Sequence, residues 1–176
     1  MSDLDLIEQL GNLLRRPLEK LSEERFERHG QGKYAADNSE TQITRDAYCL
    51  AENGRVSGLF LQPVTSELLF DFPLHRFSHL KHLHLNQVNL SSYLFLKDLT
   101  GLTTLDLRYN RISDGSFLKD LTGLTTLDLR NNSISDGSFL KDLTGLTTLY
   151  LRNNSISDGS FLKDLTGLTT LDLSSN

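Results

Sequence analysis

The chain has 176 residues, of which 38% are hydrophobic and 23% are charged, and its formal net charge is −5. This composition is that of a folded protein and excludes a disordered chain. The acidic balance argues against a nucleic-acid interface, which usually needs a basic patch. No apolar run reaches the roughly 18 residues of a membrane-spanning helix, so we expect no membrane partner.

The first residues, MSDLDLIEQL, are acidic and mixed, whereas a secretory signal opens with positive charge and an unbroken apolar stretch. Cys49 is the single cysteine, so no internal disulfide can form. These features predict a cytoplasmic protein.

The N-terminal segment predicts an amphipathic helix over residues 3–16, with Ser2 as its N-cap. Its apolar side chains recur every three or four residues at Leu4, Ile7, Leu10 and Leu14. Pro17 ends this helix or opens a second one, which would carry Leu18, Leu21 and Phe26. Residues 27–46 are polar and aperiodic and predict a loop.

Asn53-Gly54 predicts a hairpin between residues 48–51 and 55–61, with positive φ at both turn residues. The first hairpin strand would then cover the outer edge of a sheet, which otherwise leaves backbone groups unpaired. We therefore assign residues 1–55 to an N-terminal helical and hairpin cap.

Residues 56–176 predict an array of about six units, of which the last is incomplete and lacks a C-terminal cap. Val56, Leu59 and Leu61 begin a divergent first unit. The segment LTGLTTLDLRYNRISDGSFLKD, starting at Leu99, returns every 22 residues with few changes. Such a period identifies stacked units whose leucines are buried by their neighbours.

Each unit can be interpreted residue by residue. Leu105 faces inward, whereas the flanking Thr104 and Asp106 face outward, as expected for a strand. Asn110 can satisfy backbone groups where the chain leaves the strand, and Ser116 can cap a helical turn. Stacking would align four rings in a continuous aromatic column, namely Phe95, Phe117, Phe139 and Phe161.

These motifs resemble the leucine-rich repeat family, in the 22-residue class of bacterial internalins. The resemblance implies an α/β fold: a right-handed solenoid with a parallel concave sheet, short helical turns or loops on the convex side, and protein–protein contact as its use. Two departures stand out. Val88 replaces the asparagine of the second unit, and glycines replace a frequent isoleucine at Gly115, Gly137 and Gly159, which suggests a looser convex side.

The lead-in, LIEQLGNLL followed by YCLAENGRVSGLFL, is similar to that of bacterial Roco-type proteins, in which the repeats precede a GTPase module. This resemblance is short. It motivates an alternative function, in which the chain is a regulatory fragment of a larger enzyme.

The outward strand positions predict the site, as three rows of side chains. We expect a protein partner to contact a set drawn from these rows and the adjoining Tyr109: His82, His84, Asn86, Thr104, Asp106, Arg108, Tyr109, Thr126, Asp128, Arg130, Thr148, Tyr150, Arg152 and Asp172. Tyr150 interrupts an acidic row with the residue type favoured in binding hot spots. The alternative interpretation is a solvated face copied by duplication, since exposed ion pairs contribute only about 0–1 kcal/mol.

Other chemistry is weakly indicated. His82 and His84, with Asp106 on the next strand, could hold zinc, but an H-x-H pair on an exposed strand is usually polar surface. GQGKY at Gly30 lacks the leading glycine of a phosphate-binding loop. We expect no metal, no cofactor and no enzymatic activity.

The sequence therefore favours a non-enzymatic interaction module, with the regulatory fragment and a structural array without one dedicated partner as alternatives. The last unit also predicts self-association, because its leucines have no successor to cover them. These are Leu165, Leu168, Leu171 and Leu173.

Overall fold

A computed structural model describes residues 2–15, 17–22, 47–61 and 72–176. The predicted loop at 27–46, Phe26 and residue 16 lie outside the described residues. Within these ranges, no helix is both long and apolar enough to cross a membrane.

The predicted N-terminal helix is confirmed as α1, Asp3–Leu14. The Ser2 hydroxyl accepts a hydrogen bond from the Asp5 N–H, and the Asp5 carboxylate accepts one from the Ser2 N–H. This reciprocal capping box satisfies donors that the first helical turn would leave free. The helix ends at Leu14 because Arg15 adopts a left-handed conformation, with φ of 55°.

The alternative of a second helix after Pro17 is wrong for residues 19–21, which form strand β1, Glu19–Leu21. Strand β2, Ala47–Leu50, pairs with β1 in parallel and with β3, Val56–Leu61, in antiparallel orientation. The hairpin is thus confirmed, but β1 and not β2 lies at the edge of the sheet.

The hairpin turn differs from the expected one. Of its two central residues only Gly54 has a positive φ, at 75°. The Gly54 N–H donates to the Ala51 carbonyl, and the Ala51 N–H donates to the Arg55 carbonyl. This pattern is a three-residue loop that ends on a left-handed glycine, which tolerates a non-glycine residue at Asn53.

Asp3 joins α1 to the start of the array. Its carboxylate accepts a hydrogen bond from the Val56 N–H (2.9 Å) and pairs with Arg55 at 2.8 Å. Burial raises the pKa of Asp3, but the bonds from Arg55 and Val56 outweigh it and hold the pKa below its ordinary value. Leu6, Leu10 and Leu14 of α1 belong to the same core as Val56 and Leu59, whereas Leu4, which the sequence placed on the apolar face, is 50% exposed.

The remaining strands are β4 (His82–Leu85), β5 (Thr104–Asp106), β6 (Thr126–Asp128), β7 (Thr148–Tyr150) and β8 (Thr170–Asp172). From β3 to β8 every neighbouring pair is parallel. From β4 onward each residue pairs with the residue 22 positions later, as Leu105 does with Leu127. Short 3₁₀ helices return the chain on the other side, at Leu74–Arg76, Leu94–Asp98, Ser116–Leu118, Ser138–Leu140 and Ser160–Asp164. The architecture is an α/β solenoid.

Leucines at equivalent positions share one interior, as predicted. Leu105, Leu127 and Leu149 are all fully buried, and each lies in the same continuous core. Leu171, at the same position of the last unit, is 42% exposed. Self-association through this unit stays a prediction.

Two of the three glycines, Gly115 and Gly137, are closely packed, which corrects our expectation of a looser convex side. A Cβ added at Gly115 would lie 2.2 Å from the Phe139 ring, and one at Gly137 would lie 2.3 Å from the Phe161 ring. In the second unit Tyr93 takes the glycine position, and Phe117 stacks on its ring at 5.4 Å. Among the described residues no ring contact joins Phe95, Phe117, Phe139 and Phe161 to one another. The prediction that their rings form a continuous column is therefore wrong.

The cap of the 3₁₀ helix at Ser116–Leu118 also differs from the prediction. Ser116 is the first residue of its helix, and no serine side chain caps it. The Asp114 carboxylate instead accepts from the Ser116 N–H (2.8 Å) and from its hydroxyl (3.0 Å). Asp136 and Asp158 repeat these bonds in the next two units.

Gly115→Ala tests this packing, with Gly159→Ala as its matched control. Both glycines have φ values that alanine accepts, −97° and −95°. A methyl group at Gly115 must displace the Phe139 ring, whereas one at Gly159 meets only a Leu162 methyl at 3.5 Å. We expect Gly115→Ala to lower the free energy of unfolding by about 1–3 kcal/mol and Gly159→Ala to change it by less than about 0.5 kcal/mol. Urea unfolding curves measure both, and equal values would contradict the close packing.

Candidate functional site

The outward side chains of β4–β8 form two rows on one surface. A third row on the same surface consists of the residue that lies two positions after the second-row residue of each unit. We call this three-row surface the sheet face. The strand register aligns its first row, His82, Thr104, Thr126, Thr148 and Thr170, and its second row, His84, Asp106, Asp128, Tyr150 and Asp172. Beyond the strands, backbone bonds such as Tyr109 N–H to the Arg130 carbonyl extend the ladder. The third row therefore also stays aligned, as Asn86, Arg108, Arg130, Arg152 and Ser174.

Aspartate and arginine pair along each strand. Arg108 donates to Asp106 through Nε at 2.9 and 3.0 Å and through Nη2 at 2.6 Å. Arg130 binds Asp128 in the same way, with Nε at 2.9 and 3.1 Å. Arg108 Nε also lies 3.4 Å from Asp128, so the pairs join across strands. Bidentate contacts of this kind are the strongest form of charged hydrogen bond.

The network continues toward the N-terminal end. His84 Nδ1 lies 3.4 Å from the Asp106 carboxylate, and the His84 ring lies 6.0 Å from that of Phe60. The Asn86 amide, oriented with its nitrogen toward Asp106, donates at 2.7 and 3.1 Å and accepts from Arg108 at 3.2 Å. Asp106 thus has three side-chain partners.

Burial divides the predicted site residues into two groups. His84, Asp106, Arg108 and Asp128 are only 1–4% exposed, so these side chains offer almost no surface to a partner and instead order the network. The accessible part of the sheet face comprises the half-buried His82, Asn86, Thr104, Thr126, Arg130, Thr148, Tyr150 and Asp172 and the exposed Tyr109 and Arg152.

The pKa values reflect this burial. Burial raises the pKa of Asp106, but hydrogen bonds from His84 and Arg108 outweigh it and hold the pKa far below its ordinary value. Burial and the nearby Asp106 carboxylate raise the pKa of Asp128 above its ordinary value, although the hydrogen bonds from Arg130 oppose the shift. Burial, with smaller effects of His84 and Lys81, lowers the pKa of His82 to about 4.

Tyr150 ends the run of paired carboxylates. It pairs in register with Asp128 on one side and Asp172 on the other. The Arg130 guanidinium lies over its ring, 4.8 Å from the centroid. This cation–π contact fixes the position of the ring relative to Arg130.

Tyr109 lies at the margin of the sheet face and is 49% exposed. Its φ of 60° is left-handed, a conformation that costs a non-glycine residue roughly 1–2 kcal/mol. Later units place Asn131 and Asn153 there, which tolerate this conformation and bond to each other at 2.8 Å. Gln87 and Ser175 adopt the same left-handed conformation at this position, so the conformation belongs to the repeat. What distinguishes Tyr109 is its exposed aromatic ring.

The sequence interpretation missed Phe60 and a second threonine row. Phe60 pairs in register with His84. Aligning Val56, Leu59 and Leu61 with the apolar positions of the later units would have placed Phe60 in the outward row of His84. Thr103, Thr125, Thr147 and Thr169 donate their hydroxyls to the preceding unit at 3.1–3.2 Å. Their exact 22-residue spacing was the available signal.

The histidines do not converge on a metal-binding arrangement. His79 Nδ1 lies 3.1 Å from the Ser78 hydroxyl, whereas His84 faces Asp106. In the described ranges, no three histidine, cysteine, aspartate or glutamate side chains are placed to hold a metal ion.

Comparison with known proteins gives three findings. A family model described as leucine-rich repeats in two copies matches residues 100–143 and again 144–176. An internalin (InlF) of Listeria monocytogenes is similar in structure, with 29% identity, a TM-score of 0.60, and coverage of 74% of this chain and 40% of that chain. The leucine-rich repeat ectodomain of the receptor kinase SOBIR1 of Arabidopsis thaliana shares the fold at 22% identity and a TM-score of 0.56, covering 99% of this chain and 93% of that one.

No curated protein sequence matches the chain. The in-phase parallel strands define a repeat solenoid, and the family match identifies its repeats. Residues 100–176 are leucine-rich repeats. The array is similar to that of an internalin, and the chain spans 40% of the length of that internalin. The resemblance of the lead-in to Roco-type proteins stays a hypothesis.

The depressed pKa of His82 predicts a stability loss on acidification. Between pH 6.5 and about 4 the unfolded chain protonates this histidine while the folded protein does not, so stability falls as pH falls. We expect His82 to contribute about 1–2 kcal/mol of this loss, a range that allows for its partial exposure. The contribution of Asp106, whose pKa is lowered, is lost only below its ordinary pKa of 3.8.

His82→Thr is the matched variant, because threonine occupies this position in the later units. Urea unfolding at about pH 7 and about pH 4.5 should show a smaller loss for the variant than for the natural chain. Identical losses would contradict the burial of the neutral imidazole.

Proposed function

We propose that the protein is a non-enzymatic interaction module that binds a partner protein on its concave sheet face. Leucine-rich repeat arrays in general bind proteins, which gives the starting point. The observation that carries the proposal for this face is Tyr109, an exposed aromatic ring at its margin, where the next two units carry asparagine.

The geometry supports an ordered contact surface. Paired charges beneath it, such as Asp106 with Arg108, fix the strand positions without offering themselves to a ligand. Tyr109 and Tyr150 supply aromatic contact area, and Arg152 supplies an exposed charge. Tyrosine and arginine are the residue types enriched at binding hot spots. The regulatory fragment and the structural array stay as hypotheses.

A face-blocking variant tests the proposal. Thr126→Arg combined with Thr148→Arg places two long side chains in the middle of the sheet face, where both threonines are half-buried and point outward. The matched control is Ser135→Arg combined with Ser157→Arg, which adds the same charge at exposed positions outside the strands. If the face binds protein, the first variant should weaken binding at least about tenfold and the control should not.

The measurement is capture of proteins from cells of the source organism on the immobilised chain, followed by titration of each captured protein. Circular dichroism of all three proteins checks that they are folded. Full retention of captured proteins by the face-blocking variant would place binding elsewhere.

A further inference from the structure

A cavity of about 290 Å³ lies between the second and third units, on the flank where the chain passes from each strand to the following 3₁₀ helix. Its lining consists of residues 90–94 of the second unit and residues 110–114, 116 and 117 of the third. None of these residues belongs to the three rows of the sheet face. The cavity is therefore a candidate site of its own.

The backbone of the two units is not joined at this cavity, although it is joined at the same place later in the array. The Ser133 N–H donates to the Ile112 carbonyl at 2.8 Å, and the fourth and fifth units repeat this bond. The equivalent bond would run from the Arg111 N–H to the Leu90 carbonyl, and it is not formed in this part of the described chain. Arg111 has a left-handed φ of 57°, which Ser133 does not share. One backbone donor and one acceptor of the cavity lining thus have no bond to the neighbouring unit.

Tyr93 gives the reason for the gap. In the next unit the same position is Gly115, where an added Cβ would lie 2.2 Å from the Phe139 ring, so that ring lies directly against the glycine. Tyr93 instead carries a ring, on which Phe117 stacks with 5.4 Å between the centroids. The two stacked rings keep the units apart here and supply an apolar part of the cavity lining.

The polar part of the lining carries hydroxyl groups and no net charge. Its four serines are Ser91, Ser92, Ser113 and Ser116. Ser91 and Ser113 are exposed, and neither hydroxyl has a hydrogen bond to another described residue. The lining also contains one cation, Arg111, and one anion, Asp114, which together favour neither a cationic nor an anionic ligand. A serine hydroxyl can both donate and accept, so this lining matches a neutral ligand with several hydroxyl groups.

The size and the mixed lining of the cavity suit a single sugar ring. Cavities for small molecules span about 300–1,000 Å³, so this one is at the small end. A pyranose carries hydroxyl groups around its edge and C–H groups on its two faces. The edge can bond to serine hydroxyls and to the open backbone groups, while a face can pack on the half-buried ring of Phe117.

We propose that this cavity binds one neutral sugar residue. The hydroxyl groups of the sugar bond to Ser91, Ser113 and the Arg111 N–H, and its C–H face contacts Phe117. These bonds replace the backbone bond that joins later units. The site lies apart from the sheet face, so it does not depend on the proposed function.

The probes are the methyl glycosides of glucose, galactose, mannose and N-acetylglucosamine, with glycerol as a probe that has hydroxyl groups but no ring. Each is titrated into the ¹⁵N-labelled chain, and the amide shifts of residues 90–94 and 111–114 are followed by NMR. Residues 132–136, the equivalent segment of the fourth unit, give the internal reference.

Ser113→Phe fills the cavity, and Ser135→Phe is its matched control. Both serines are exposed and occupy the same position in successive units, but only Ser113 lines the cavity. The amide spectrum of each variant also shows whether it is folded.

We expect at least one glycoside to shift the cavity amides saturably, with a dissociation constant of about 1–10 mM. Ser113→Phe should weaken this binding at least about tenfold, and Ser135→Phe should leave it within about twofold.

Three results would overturn the inference. The first is that no glycoside gives a saturable shift of the cavity amides at concentrations up to about 50 mM. The second is that glycerol binds as tightly as the glycosides, which would remove the role of the ring. The third is that the two folded phenylalanine variants bind the glycoside equally well, which would place the sugar outside the cavity.

Discussion

The array depends on the asparagine that follows each of the strands β5 to β8, because its amide satisfies backbone groups of two units at once. Asn132 donates to the Leu107 and Leu129 carbonyls at 3.0 and 2.9 Å and accepts from the Asn110 and Ile112 N–H groups. These groups turn away from the sheet ladder and would otherwise be buried without partners. The same bonds recur at Asn110 and, in part, at Asn154 and Asn176. They hold successive units in register, and the register is what buries the leucines and aligns the outward rows.

Exact repetition gives each departure from the pattern a physical meaning. In a bidentate Asp–Arg pair the carboxylate and the guanidinium bind each other within one unit. A face built only of such pairs would therefore offer a partner no unpaired charge. Tyr150 removes one carboxylate, and Tyr109 replaces an asparagine suited to a left-handed backbone. Both changes place an aromatic ring on the sheet face or at its margin. Under the proposed function, the contacts offered to a partner are therefore concentrated where the units differ, and the identical units position them.

Much of the fold could be predicted because the period and the leucine spacing are sufficient to place strands and interior. Leu105 and Asp106 could be assigned to opposite faces from alternation alone. The burial of the outward row could not be predicted, because alternation shows which way Asp106 points but not which side chains cover it. Strand β1 was missed because three residues carry too little periodicity to distinguish a strand from a helical turn. The role of Gly115 depends on a phenylalanine in the next unit, a contact between units that the motif within one unit does not show.

The free energy of unfolding of Asn132→Ala, measured beside that of Thr126→Ala, tests the central claim most directly. The first substitution leaves two carbonyls and two N–H groups buried without their partner, each worth about 1–3 kcal/mol. The second shortens a half-buried outward side chain in the same unit. The account predicts a loss of at least about 3 kcal/mol for Asn132→Ala and less than about 1 kcal/mol for Thr126→Ala. Comparable small losses for both would show that the units stack without the asparagine bonds and would contradict it.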